Sequence, residues 1–156
     1  MNEKLTNKLF KKYPKIFPGG KKVDPKKSLL AFGIETHDGW YWLIDNLCHT
    51  IQNYINQNKH LKIKQIEASQ VKEKFGGLRF YTNGGGDELI RGMIWLAESL
   101  SYDICEDCGK NGTTLDNSGF IQSLCDECRK ARSARLKKRF GESMRRRENE
   151  EKKASK

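Results

Sequence analysis

Four cysteines carry the clearest chemistry in this chain. CEDCGKNGTTLDNSGFIQSLCDEC runs from Cys105 to Cys128, two C-x2-C pairs separated by sixteen residues. Each pair can turn two thiolates toward one ion, and two pairs at this spacing match a tetrahedral four-thiolate zinc site. Cys105, Cys108, Cys125 and Cys128 are therefore the expected ligands of one Zn2+. Four cysteines close the coordination sphere, whereas a catalytic zinc keeps a position open for water. The expected role is structural, holding a segment too small to have its own core. A zinc deaminase would show H-x-E upstream of its cysteine pair, and none occurs; a ββα-metal nuclease would need a histidine inside the hairpin, and residues 106–127 contain none.

The elements around the cysteines follow from local composition. Gly109 permits a tight knuckle after the first pair, residues 113–124 can form a short hairpin around Asn117-Ser118-Gly119, and the second pair leads into a helical run. Knuckle, hairpin and helix is a treble-clef-like order, with a zinc ribbon as the near alternative. The fifth cysteine, Cys48, lies on an apolar helical stripe and reads as a small hydrophobe.

The second feature is QVKEKFGGLRFYTN, residues 70–83. Its double glycine lacks the Lys-Ser/Thr of a P-loop and is followed by a strand pattern, not the helix of a dinucleotide loop. A two-residue Gly76-Gly77 turn of type I′ suits it, since both positions take positive φ. That pairing sets Phe75 opposite Leu78, Lys74 opposite Arg79 and Lys72 opposite Tyr81. Val71, Phe75, Leu78 and Phe80 then face the core together with Glu73. Lys72, Lys74, Arg79 and Tyr81 face outward, where cations interleaved with an aromatic can hold a phosphate backbone and stack on a base. The same face can dock an acidic protein surface or merely be solvated.

Charge is segregated. The net charge is +10. Residues 1–27 carry nine lysines against Glu3 and Asp24. Residues 125–156 carry thirteen Lys/Arg against six Asp/Glu, and the stretch between the two ends is net acidic at −4. Arg129, Lys130, Arg132, Arg135, Lys137, Lys138 and Arg139 form the densest cationic run, over a thin apolar stripe of Ala131, Leu136, Phe140 and Met144. Basic ends attract phosphate backbones and acidic protein surfaces alike.

These features need a scaffold. Leu5, Leu9 and Phe10 predict a short amphipathic helix ended by Pro14. Residues 28–35 are an ambiguous apolar run. Asp38 reads as the N-cap of a core helix carrying Trp40, Leu43, Ile44, Leu47, Cys48, Ile51, Tyr54 and Ile55 on one stripe. Residues 63–75 and 78–82 read as strands, and Asp87 caps a further helix with Ile90, Met93, Ile94, Ala97, Leu100 and Ser101 on one face. The expected class is α+β, with helices packed on a β-hairpin sheet, a C-terminal zinc module and a basic helical tail. The expected division is a basic N-terminal helix and loop (1–27), an α+β body (28–102), a zinc module with its emerging helix (103–140), and a partly disordered basic tail (141–156) that starts with a break at Gly141. Hydrophobic residues make up 36%, below the usual roughly 45–50%, so the core is expected to be modest. No apolar run approaches the ~20 residues of a membrane span, and the expected location is the cytosol. Glu35, His37 and Asp38 are the nearest thing to an acid–base group, but no nucleophile stands beside them in the sequence, so no enzyme is expected.

Gly39-Trp40, QVKEKFGGLRFY (residues 70–81), AESLSYDICEDCG (residues 97–109) and LCDEC (residues 124–128) resemble a family of small phage and prophage proteins. The resemblance covers residues 39–128 and implies a mobile-element setting, a bacterial host cytosol and a zinc-binding cysteine quartet; it implies no catalytic residues. In that setting two functions are open, the first of them favoured. One is an accessory protein that binds and inhibits a host nucleic-acid-handling defence machine, as anti-CRISPR proteins do, which are similar in setting and not in motif. The other is a zinc module that binds DNA or RNA directly through its basic ends and hairpin face.

Overall fold

The computed structural model describes residues 1–26, 28–116 and 121–154. It is α+β, with four α-helices and two separate two-stranded antiparallel sheets among the described residues. Contacts divide it into a body, residues 1–125, and a C-terminal helical unit.

The body opens with α1 (Glu3–Lys12). Its N-cap, Asn2, accepts from the Leu5 amide at 2.9 Å, and it buries Thr6, Leu9 and Phe10. A short 3-10 turn, Leu29–Phe32, resolves the ambiguous apolar run, and Glu35 then bridges in parallel to Lys72. Helix α2 (Tyr41–Gln57) buries Ile44, Leu47, Cys48 and Ile51. It is entered through a 3-10 turn at Asp38–Trp40. Asp38 makes no side-chain cap there. Its carboxylate instead accepts from the backbone and side-chain nitrogens of Asn2, both at 2.7 Å, and these bonds hold its pKa below the usual value, the backbone bond most.

Strands β1 (Ala68–Lys74) and β2 (Gly77–Thr82) form the hairpin. The register differs by one residue at the turn from the sequence expectation. Lys74 pairs with Gly77, Glu73 with Leu78, Lys72 with Arg79, Val71 with Phe80 and Gln70 with Tyr81. The turn residues are therefore Phe75 and Gly76, both at positive φ (55° and 76°), and Phe75 is 64% exposed instead of in the core. Gly77 belongs to the strand for a steric reason: a Cβ there would lie 2.5 Å from Tyr102 Cζ. Helix α3 (Glu88–Leu100) follows, capped as expected by Asp87, whose carboxylate accepts from the Ile90 amide at 3.0 Å.

The free edge of β2 is covered. The Leu78 amide donates to Ser101 Oγ (2.8 Å) and the Phe80 amide to Glu98 Oε1 (2.8 Å). Side chains after and within α3 thus satisfy backbone donors that would otherwise invite another strand. The core gathers Leu9, Ile16 and Phe17 from the N-terminal region, Trp40, Ile44 and Ile51 from the α2 region, Val71, Leu78 and Phe80 from the hairpin, and Ile90 from α3.

Strands β3 (Thr113–Asp116) and β4 (Ile121–Leu124) form the second hairpin; its turn at Asn117-Ser118-Gly119 lies outside the described residues. Helix α4 (Asp126–Ala154) is continuous. It runs through Gly141, where the sequence suggests a break. A helical glycine costs about 1 kcal/mol, and neighbouring Arg, Lys, Glu and Met are good helix formers that outweigh it. No described helix is long and apolar enough to cross a membrane.

Candidate metal centre

The first cysteine pair sits on a tight backbone knuckle. The Gly109 amide donates to the Cys105 carbonyl (2.8 Å), Cys105 donates to the Lys110 carbonyl (2.7 Å), and Gly112 donates to the Asp103 carbonyl (2.8 Å). Gly109 takes the left-handed φ of +77° that closes this turn. The Glu106 amide donates to the Ser123 carbonyl (2.8 Å) and fastens the knuckle to β4. Cys125 follows β4 directly, and Cys128 stands in the first turn of α4.

The four cysteines converge, with their Sγ atoms all within 4.8 Å of one another. Cys108 Sγ and Cys125 Sγ are 3.7 Å apart. Tetrahedral coordination with metal–sulfur bonds of ~2.3 Å places sulfurs about 3.8 Å apart, so the donor set fits one ion. The surroundings of Cys105 favour its thiolate. Burial pushes the Cys105 thiol upward, but backbone amides of Cys125, Cys108 and Asp107, with the Cys108 thiol, outweigh it and bring Cys105 down to about 7. Cys48 shows the opposite case: fully buried in the core, its thiol is pushed up chiefly by loss of solvent.

A segment far away in sequence cradles the knuckle. The Gly39 amide donates to the Glu106 carbonyl (2.8 Å), the His37 amide to Glu106 Oε1 (2.9 Å), and Trp40 Nε1 to the Ile104 carbonyl (2.8 Å). His37 Nδ1 lies 3.0 Å from Asp107 Oδ1. Gly39 is packed flush, since a Cβ there would lie 2.3 Å from the Cys105 carbonyl oxygen. Glu35, His37 and Asp38 thus serve three different structural contacts: Glu35 accepts from Gln70 (2.8 Å), while His37 and Asp38 contact the knuckle and Asn2. Gly39, Glu106 and Ser123 belong to the centre although motif spacing does not reveal them. Ser123 also ties the two hairpins together by donating to the Gly76 carbonyl (2.6 Å).

The hairpin places Lys72, Lys74, Arg79 and Tyr81 on one face, but they are not equivalent. Arg79 is held internally: its guanidinium donates to the Leu78 carbonyl (2.7 Å) and to Tyr102 Oη (2.9 Å). Lys72 Nζ lies 5.7 Å from the centre of the Tyr81 ring, and Lys74 Nζ lies 5.2 Å from that of Phe75. On α4, Lys130, Arg135, Lys137, Lys138 and Arg139 are exposed, and Arg129 and Arg132 half-buried. At 100° per residue these cations surround the helix instead of sharing one face.

Comparison with known proteins is sparse. No family model matches the chain. DnaJ homolog subfamily C member 27-A of Xenopus laevis is 29% identical over 93 residues, which is 59% of this chain and 34% of that protein. DnaJ homolog subfamily C member 27-B of the same organism is 28% identical over the same shares. The chain thus spans about a third of the length of the curated relatives it matches. No solved structure matches.

Proposed function

We propose that this chain is a non-enzymatic binding module, built around one structural zinc in a treble-clef-like knuckle, hairpin and helix, that contacts DNA or RNA directly through its hairpin face and α4. One observation carries the nucleic-acid reading. Lys72 and Lys74 stand on the outward face of the hairpin, with Lys72 Nζ 5.7 Å from the centre of the Tyr81 ring. Glu35, bridged to Lys72, accepts from Gln70. A phosphate would be held by Lys72 and Lys74, with Tyr81 beside Lys72 as a stacking surface, while Arg79 keeps its guanidinium on Leu78 and Tyr102. The cations of α4 extend the same chemistry. The zinc supplies no reaction: with four cysteines as ligands it holds the knuckle, β4 and the first turn of α4 together.

The test measures binding to labelled duplex and single-stranded DNA and RNA between roughly 50 and 200 mM salt. Lys72→Glu with Lys74→Glu removes hairpin-face charge and leaves the bonds of Arg79 intact. The expected result is weaker binding and a shallower salt slope, by about one unit for each phosphate that is no longer held, with unchanged folding. Absence of salt-sensitive binding overturns the proposal. A stoichiometric, nuclease-resistant protein partner without nucleic-acid affinity would instead support an inhibitor of a host machine. For the metal, the protein is expected to carry about one zinc, lost with the fold of the knuckle in Cys105→Ser; full metal retention in that variant refutes the site.

A further inference from the structure

Helix α3 leaves a seam unaccounted for by the nucleic-acid reading. Its inward face is buried through Ile90 and Ala97. Its outward face exposes Leu89 (52%), Trp95 (75%), Leu96 (60%) and Leu100 (45%), together with Gly92 and Ser99. Leu89, Gly92, Leu96 and Ser99 fall at spacings of three, four and three, the rhythm of a two-helix seam. Large and small residues alternate along it.

Gly92 sharpens the question. It lies mid-helix with no positive φ, and a Cβ on it would meet nothing within 4 Å. Neither backbone conformation nor packing within the chain requires a glycine there, and glycine weakens a helix interior relative to alanine. Its one structural effect is a notch in the exposed seam.

We infer that α3 is a self-association surface, on which a second copy of this chain docks antiparallel. A two-fold interface must be self-complementary, and this seam is. In the antiparallel register centred on residue 94, each Leu96 seats on the partner's Gly92 and each Leu89 on the partner's Ser99. Knobs then meet holes in every layer, and the glycines let the two backbones approach closely. Trp95 and Leu100 cover the two flanks.

Charge does not oppose a second copy at this place. The basic residues are concentrated at the two ends of the chain, whereas this seam is uncharged. On its margin Arg91 is paired with Glu88 of its own helix, so no unpaired charge is forced into the contact. The exposed apolar area is sufficient: these side chains offer on the order of 500 Å² per copy, about 1,000 Å² for the pair, the lower bound for a specific interface.

The experiment is sedimentation equilibrium of the full zinc-loaded chain from roughly 1 to 200 µM, free of nucleic acid, so that failure of the nucleic-acid reading cannot affect it. The expected result is a monomer–dimer equilibrium. Leu96→Asp is expected to weaken it at least ~100-fold by placing a carboxylate in the central layer. Gly92→Leu fills the notch, and is expected to abolish the dimer although its monomer melts no lower than wild type. A wild-type monomer throughout the range overturns the proposal and leaves the seam to a different protein. A dimer unaffected by both substitutions overturns it as well.

Discussion

Gly39→Ala places a methyl group against the backbone of the metal knuckle. Its Cβ would lie 2.3 Å from the Cys105 carbonyl oxygen, 2.5 Å from the Gly109 nitrogen and 2.6 Å from the Glu106 carbonyl oxygen, where ordinary contact begins near 3.4 Å. All three obstacles are backbone atoms, so no side chain can swing away. The 37–40 segment must lift or the knuckle must shift, and overpacking of this kind costs about 1–3 kcal/mol. Lifting also strains the bonds from the amides of His37 and Gly39 and the indole of Trp40, each worth about 1 kcal/mol. The expected loss is about 3–5 kcal/mol, a large share of the ~5–15 kcal/mol that holds a domain of this size. Thermal melts followed by circular dichroism are expected to show a fall of about 10 °C, with any metal held by the quartet released at a lower chelator concentration. Gly141→Ala is the control, because its Cβ meets nothing within 4 Å. A Gly39→Ala protein with the melting point and chelator profile of wild type would refute the cradle.

Three further outcomes follow from the body. Phe75→Asn is expected to stabilise the fold by about 1 kcal/mol in denaturant titration, since Asn tolerates the left-handed turn position that Phe occupies at φ 55°; an unchanged midpoint contradicts the observed turn. Ser101→Ala is expected to cost about 1–3 kcal/mol by the same assay, because it strands the Leu78 amide in a fully buried site; a neutral result would refute the edge cover. Asp87 is held below its ordinary carboxylate pKa of 3.8, first by the Ile90 amide and then by the Tyr54 hydroxyl. Its stabilisation is therefore present above that value and lost as pH falls through the lower folded one. The melting temperature of Asp87→Ala is expected to lie below wild type near neutral pH and to converge with it once the pH falls below the lowered folded pKa; a gap that persists in acid counts against the cap.

The parts legible in the sequence were those with local rules. Cysteine spacing identified a quartet that can share one ion, helical stripes located α1, α2 and α3, and Asp87 announced its cap. The misplaced features depended on distant partners. Gly76-Gly77 looked like the turn because glycine is the ordinary residue for positive φ, yet Tyr102 claims the space beside Gly77 and Phe75 takes the strained position instead. That shift leaves Val71, Leu78 and Phe80 inward but expels Phe75. Asp38 suited an N-cap until Asn2 took its oxygens. The outward seam of α3 was missed for another reason: with Leu100 assigned to the buried face, Leu89 and Leu96 had no pattern to betray them, and only accessibility separates the two faces.

The cradle around the knuckle also sets an order of events during synthesis. Trp40 and the Ile104 carbonyl that it binds are separated by 64 positions. At the usual 5–20 residues per second, the seat around Gly39 waits roughly 3–13 s before its occupant leaves the ribosome. Cys125 and Cys128 emerge later still. The nascent chain must therefore persist with the Trp40 indole without this partner until Ile104 emerges. A metal shared by all four cysteines can be captured only after Cys128 has emerged, so metal starvation would leave the knuckle without its tie and more exposed to proteases and to aggregation.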